Sequence, residues 1–297
     1  MILFDEAMKQ RFGGKVYRLS LSSGCTCPNR DGKIGTGGCI FCSEGGSGDF
    51  ASSAALPIPQ QIEEAKQRVA SKLSGNFAGY IAYFQSFTNT YGDPEILRGK
   101  FTEAILRPEI LALSVATRPD CLPEEMVEML RDLRRIKPVW VELGLQTIHE
   151  DTAARIHRGY PLSVYEDAVT RLKAAGLEVI THIIIGLPGE NDDRVRDTLR
   201  YVCSGPIDGI KLQLLHVLKD TRLAQMFAEN PDCIHHYTLE EYAGLIAELA
   251  RMIPDNITVH RLTGDAPKKL LIAPLWSADK KRVLNTIRHE LSRSQQQ

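Results

Sequence analysis

Glu178-Val179-Ile180-Thr181-His182-Ile183-Ile184-Ile185-Gly186-Leu187-Pro188-Gly189-Glu190 is an almost unbroken β-branched run that stops at a Gly-Leu-Pro-Gly turn. A run this short and this apolar suits a parallel strand covered on both faces. Working outward, similar β-rich runs fall at 15–22, 79–84, 110–117, 138–145, 209–218 and 257–262. Between them lie amphipathic stretches at about 60–73, 94–106, 123–136, 163–175, 190–203 and 239–252. Strand and helix alternate as in βα units. The expectation is an α/β fold, a partial (β/α)6 TIM-type barrel of parallel strands with a C-terminal extension; a doubly wound Rossmann sheet is the alternative. The expected division is residues 1–255 as the barrel and 256–297 as a basic extension packed on it.

In βα barrels, reactive groups gather where the strands stop, and the distinctive polar residues fall there. Strand one runs into a cysteine loop, strand two into Gln85-Ser86-Phe87-Thr88-Asn89-Thr90, and strand three into Thr117-Arg118-Pro119-Asp120. Strand four runs into Gln146, and strand five into the glycine-proline turn.

The cysteine loop reads Cys25-Thr26-Cys27-Pro28-Asn29-Arg30-Asp31-Gly32 and closes with Gly37-Gly38-Cys39-Ile40-Phe41-Cys42. Cys27, Cys39 and Cys42 offer three thiolates where a cubane iron-sulfur cluster has four irons, so one iron keeps an open position. Adding Cys25 gives a four-cysteine set that could instead close a tetrahedral zinc site, although the Cys25/Cys27 gap is tighter than usual. Cys121, Cys203 and Cys233 lack partners at ligand spacing and read as small packed residues.

The 297 residues, 43% hydrophobic, suffice for one barrel-sized domain or two small ones. Seven unevenly placed cysteines and the absence of a visible secretory leader argue against a disulfide framework and for a cytoplasmic, soluble protein. No apolar run reaches the roughly twenty residues that cross a bilayer. Net charge is −1, but it is segregated: residues 1–42 and 256–297 are basic and the middle is acidic. If the ends meet in space, they could hold a polyanion such as RNA; a solvated helix face is the other reading.

With Thr26 to Gly32, Gly37 to Cys42, Tyr83-Phe84-Gln85, Thr117 to Asp120, Glu142 to Gln146, Arg158-Gly159 and His182 to Glu190 taken together, the chain resembles the radical S-adenosylmethionine (SAM) enzymes over nearly its whole length. The eleven residues between Cys27 and Cys39 depart from the family's commonest three. The resemblance implies a 4Fe-4S cluster on Cys27, Cys39 and Cys42, with Cys25 a bystander. SAM would chelate the open iron and, on reduction, yield methionine and a 5′-deoxyadenosyl radical.

It further implies SAM contacts from Gln85, Ser86 and Thr88 to the amino group and from Thr117. Gln146 would reach the ribose or carboxylate, Arg158 a carboxylate and His182 the ribose. Gly186, Pro188 and Gly189 would let the backbone approach adenine. A reducing donor such as flavodoxin or ferredoxin is implied, and no membrane partner.

His260-Arg261-Leu262-Thr263-Gly264-Asp265-Ala266-Pro267 resembles a stretch in the radical SAM part of the Elongator catalytic subunit, which modifies tRNA wobble uridine. No acetyltransferase segment follows here, so a different reaction is expected. The resemblance implies remodelling of the carboxymethylaminomethyl side chain toward aminomethyl uridine, with tRNA as partner and Lys268, Lys269, Lys280, Lys281, Arg282 and Arg288 on phosphates. The alternatives are a radical SAM enzyme acting on a small metabolite or porphyrin-like ring, and a zinc-stabilised RNA-binding protein.

Overall fold

The computed structural model describes residues 1–46, 48–73 and 75–293. Its centre is an eight-stranded sheet in the order β1 (Ile2–Leu3), β9 (Thr258–Arg261), β7 (Gly209–Leu214), β6 (Glu178–Ile185), β5 (Val139–Gln146), β4 (Ile110–Thr117), β3 (Phe77–Phe84), β2 (Lys15–Leu21). Every neighbouring pair is parallel. The sheet curls into an open barrel with edges at β1 and β2. The partial barrel expected from the strand pattern is what the chain forms.

The helices on its outer face are α2 (Ile58–Ala70), α3 (Pro94–Ile105), α4 (Glu124–Arg134), α6 (Leu162–Ala174), α7 (Asp192–Ser204) and α9 (Leu239–Arg251). Their starts are written in the sequence. Asp93 and Asn191 cap α3 and α7, and Thr238 with Glu241 forms a capping box on α9. In α4, Met126, Val127, Met129, Leu130 and Leu133 repeat at helical spacing and bury one face, while Glu124 and Glu125 begin the helix and Arg131 and Arg134 end it, matching its dipole.

Alternation along the strands sorts side chains into two sets. Leu19, Phe84, Leu113, Val141, Val179 and Leu212 point outward into the core shared with the helices. The inward set is layered. Val16, Ile81, Ala112, Trp140 and Ile180 form an apolar floor, closed from below by Phe4 and Met8 of α1 (Phe4–Phe12). Two residues further along each strand come Arg18, Tyr83, Ser114, Glu142, His182 and, on β7, Lys211. Inward positions of a packed barrel are normally branched aliphatics, so this polar layer is the fold's main departure from stability rules.

Several elements differ from expectation. The run 209–218 is two strands: after β7 the chain turns and β8 (Val217–Leu218) pairs antiparallel with β10 (Leu271–Ala273). Gly264 approaches this turn so closely that a Cβ there would lie 3.0 Å from Leu214 O and 2.6 Å from His216 Cε1. α1, α5 (Glu150–Arg155), α8 (Arg222–Glu229) and α10 (Lys280–Arg293) were not expected; the first three are too short to show a clear period. The sheet runs through residue 255 unbroken, since β9 lies between β7 and β1. Met1 forms an ion pair with Asp255, so the start of the chain lies against the turn that precedes β9. Among the described residues no helix is long and apolar enough to cross a membrane.

Candidate active site

A cavity of about 930 Å³ occupies the C-terminal mouth of the barrel and continues to the gap between its open edges. It lies at the upper end of the roughly 300–1,000 Å³ usual for small-molecule sites. Cys27, Cys39 and Cys42 line one part; Arg18, Tyr83, Glu142, His182 and Gln213 line the interior; α2 and α10 contribute Arg68, Lys72, Leu284 and Arg288 at the gap.

The cysteine loop is held by its own polar residues. Asp31 bridges to Thr36 and Gly32 N donates to Gly35 O at 3.1 Å, so the residues between Cys27 and Cys39 form a pinched excursion with both cysteines at its base. This accounts for the long spacing. Asn29 Nδ2 donates to His157 O at 2.5 Å and lies 3.7 Å from Cys39 Sγ. Arg30 donates to Cys42 O at 3.2 Å and Ser43 O at 2.5 Å, and its guanidinium lies 5.5 Å from the Phe87 ring centroid. Gly38, at φ 83°, passes so near Arg30 that a Cβ would sit 2.9 Å from Nε.

Cys39 and Cys42 are close enough for their thiols to hydrogen-bond, and that bond, with burial, pushes the Cys39 thiol well up. Cys25 packs against the main core near Gly92 instead of lining the cavity. Three thiols on one wall, with an amide donor beside one sulfur, fit a cluster that takes one thiolate per iron. Among the described residues no three His, Cys, Asp or Glu side chains converge on a single point.

The strand-end residues divide by what already occupies them. Gln85 and Thr88 line the cavity, as do Thr117 and Gln146. Ser86 packs under Gly48, where a Cβ would lie 2.0 Å from its Oγ, and it is not part of the lining. Thr117 Oγ1 shares a hydrogen bond with Thr90 Oγ1 at 2.5 Å. Gln146 adopts φ 67° and folds back over Gly144, whose Cβ would lie 2.6 Å from Gln146 Nε2.

Arg158, expected to offer its fork to a carboxylate, spends it on protein: it donates to Tyr160 O, Leu145 O, Thr147 O and both oxygens of Glu150. Those contacts match the five donors of a guanidinium, so Arg158 braces the loop after β5. Gly186 lines a separate small cavity with Tyr237 and Pro274. Pro188 O accepts from Arg155 at 3.0 Å, and Pro188 lines neither cavity.

Of the interior polar layer only His182 was singled out as a site residue from sequence. Glu142, fully buried, accepts from Ser114 Oγ and His182 Nε2, each at 2.7 Å, and from Lys211 Nζ. Lys211 also donates to Tyr83 Oη at 3.1 Å and stands 4.4 Å from that ring's centroid. Burial would raise the Glu142 carboxyl, but Lys211 and then His182 hold it well below the usual carboxylate range. Burial pulls Lys211 down to about 7 and His182 to about 4.

At neutral pH His182 is therefore uncharged. Its Nε2 carries the proton donated to Glu142, which leaves Nδ1 to accept from Gln213 Nε2 at 3.2 Å. The signal that could have found this layer is a charged or polar residue at alternate positions inside apolar strands: Arg18, Glu142, His182 and Lys211 all stand there.

Residues 26–202 match the family model of the radical SAM superfamily, and residues 207–293 that of the Radical_SAM C-terminal domain. The uncharacterized protein YtqA of Bacillus subtilis is 40% identical over 284 residues, 96% of this chain and 87% of that protein. The tRNA uridine(34) acetyltransferase of Dehalococcoides mccartyi is 29% identical over 168 residues, 56% of this chain and 36% of that protein. The solved structure of the archaeal Methanocaldococcus infernus Elp3 superposes with a TM-score of 0.64 at 18% identity, over 86% of this chain and 58% of that one. The matched strands carry the cysteine loop and the cavity residues, and the chain belongs to the radical SAM superfamily, whose enzymes use a 4Fe-4S cluster and S-adenosylmethionine.

Proposed function

We propose that this radical SAM enzyme acts on tRNA, breaking the bond between the amine nitrogen and the carboxymethyl carbon on wobble uridine to leave aminomethyl uridine. The two carbons depart at the aldehyde level with oxygen from water, and SAM, spent as methionine and 5′-deoxyadenosine, is the oxidant. The observation that carries the reading is charge: Lys15, Arg68 and Lys72 from the N-terminal part of the chain and Lys280 and Arg288 from α10 line one cavity at the gap between the barrel's edges, with Lys280 also paired to Asp265. Lys268, Lys269, Lys281 and Arg282 are exposed nearby in sequence. Such a rim suits phosphates and should give a steep salt dependence. Partial likeness to the tRNA uridine(34) acetyltransferase supports the same substrate class.

In this reading Cys27, Cys39 and Cys42 hold the cluster, and Arg30 and Asn29 fix the loop around it. When bound and reduced, the cluster supplies the reductive cleavage of SAM that yields the 5′-deoxyadenosyl radical. Gln85, Thr88, Thr117 and Gln146 face the space where SAM would lie. Ser86 packs behind that space, and Arg158, at the cavity wall, braces the loop after β5. His182, with both nitrogens engaged, presents a neutral ring that orients Gln213 and keeps Glu142 ionised. A flavodoxin or ferredoxin is the proposed electron donor.

The test is nucleoside mass spectrometry of tRNA carrying carboxymethylaminomethyl uridine after incubation with reduced enzyme and SAM. The expected result is loss of that nucleoside and gain of aminomethyl uridine. Salt-insensitive tRNA binding with an unchanged nucleoside would overturn the reading and favour a small metabolite.

A further inference from the structure

Arg18 stands out among the guanidiniums around the cavity. Arg118 is paired with Asp120, Arg158 with Glu150 and Arg261 with Asp265. Arg18, on the inner face of β2, has no carboxylate partner among the described residues. One Nη donates to His260 Nδ1 at 2.8 Å, the Phe4 ring centroid lies 3.9 Å from its Cζ, and its buried Nε finds no hydrogen-bond acceptor. Glu142 acts on it only through its field, because Ser114, His182 and Lys211 take up the Glu142 oxygens. Arg18 is half-buried, with its Nε cut off from solvent, and charges drawn out of water are ordinarily paired.

The position says whose anion is missing. Arg18 precedes the end of β2 at Leu21 by three residues, so it lies about 10 Å below the level of the cysteine loop at a rise of roughly 3.3 Å per residue. The carboxylate of SAM, expected at the cluster, is at the other level. Arg18 lines the cavity interior, as does Tyr83, whose ring centroid is 6.0 Å from the Arg18 Cζ. Lys211 donates to the Tyr83 oxygen and the phenol also hydrogen-bonds toward Glu142, so Tyr83 is held within the polar layer and Arg18 is the group left facing the cavity.

We propose that Arg18 is the binding site for a carboxylate carried by the substrate. The planar guanidinium fork matches a carboxylate in two parallel bonds. The identity of that carboxylate as the end of the carboxymethylaminomethyl group rests on the tRNA reading; the anion site itself does not.

The experiment compares the reconstituted enzyme on tRNA bearing the carboxymethylaminomethyl group and on the same tRNA with that carboxylate as its methyl ester. The acid should be preferred by about 10- to 100-fold in kcat/KM, the span of a charge-assisted contact. Arg18→Gln should lose the preference by falling on the acid alone, and Arg18→Lys should recover part of it. Equal turnover of acid and ester by the unaltered enzyme would overturn the site while leaving the tRNA reading in place, even if Arg18→Gln fails to fold. If neither tRNA is turned over, the tRNA reading falls and acetate decides the site. Thermal stabilisation by acetate over matched chloride, weaker in Arg18→Lys, supports it; no stabilisation of the unaltered protein overturns it.

Discussion

The cysteine loop and the interior polar layer face the same cavity and are built in opposite ways. The loop draws its three thiols from one short stretch and holds them with neighbours in sequence: Asn29, Arg30 and the Asp31–Thr36 bridge. The layer takes Arg18, Tyr83, Ser114, Glu142, His182 and Lys211 one from each of six strands, and its bonds join residues as far apart as 128 positions. A locally tied loop can lose a ligand and leave the barrel standing. A buried charged network cannot lose a member without leaving another charge unpaired. Chemistry is concentrated in the first region and stability is at stake in the second.

The sharpest way to break that comparison is at the loop. Cys39→Ala should remove iron and sulfide from the reconstituted protein and abolish SAM cleavage, while Cys25→Ala leaves both largely intact and neither moves the melting temperature of the metal-free chain by much. Equal loss of iron in the two variants would revive the four-cysteine site.

Next is the layer's anion. Glu142→Gln strands Lys211 in the interior and should cost about 3–5 kcal/mol in denaturant unfolding. Adding Lys211→Met should recover most of it, because a neutral pair has no charge to compensate. A Glu142→Gln loss no larger than a surface substitution would mean the layer carries no stability.

A smaller effect is set by pH. Folded His182 titrates at about 4, below the ordinary 6.5, so above pH 6.5 both states are neutral and the group contributes nothing. As pH falls from 6.5 toward 4 the unfolded chain takes up a proton that the folded one refuses, and stability drops by at most roughly 3 kcal/mol, at 1.36 kcal/mol per unit. His182→Gln should flatten that slope. The slope is best read above pH 4.5, because Glu142, with its lowered value, adds acid sensitivity below it. An unchanged slope would place the proton uptake elsewhere.

The smallest change joins the two regions. Tyr160 Oη donates to Gly144 O, beside Gln146, and its ring lies between Arg118 and Arg158 at 5.0 and 4.8 Å. Tyr160→Phe keeps the stack and removes one bond, so it should cost about 1 kcal/mol with iron content unchanged. Loss of iron here would show that the loop depends on the barrel more than its local bonds suggest.

What could be read in advance follows the same division. The strands and the helices over them were legible because each is a continuous run with one period, and the cysteine loop because its ligands are neighbours in sequence. The polar layer was hidden inside those runs. Lys211 and Arg18 look like isolated charges in strands until alternation and register bring them to one face. The Arg158 brace was also hidden, since its five acceptor oxygens are spread over the end of β5, the start of α5 and the loops beside them, whose path no short pattern fixes. The split of 209–218 depends on Gly264, fifty residues away from Leu214.

The most direct test of the account is the yield of 5′-deoxyadenosine from SAM after anaerobic reconstitution with iron and sulfide and reduction with dithionite, with and without tRNA carrying the carboxymethylaminomethyl group. The account predicts formation that requires Cys27, Cys39 and Cys42 and that rises when the tRNA is present. A colourless protein that retains zinc and forms no 5′-deoxyadenosine under either condition would contradict it.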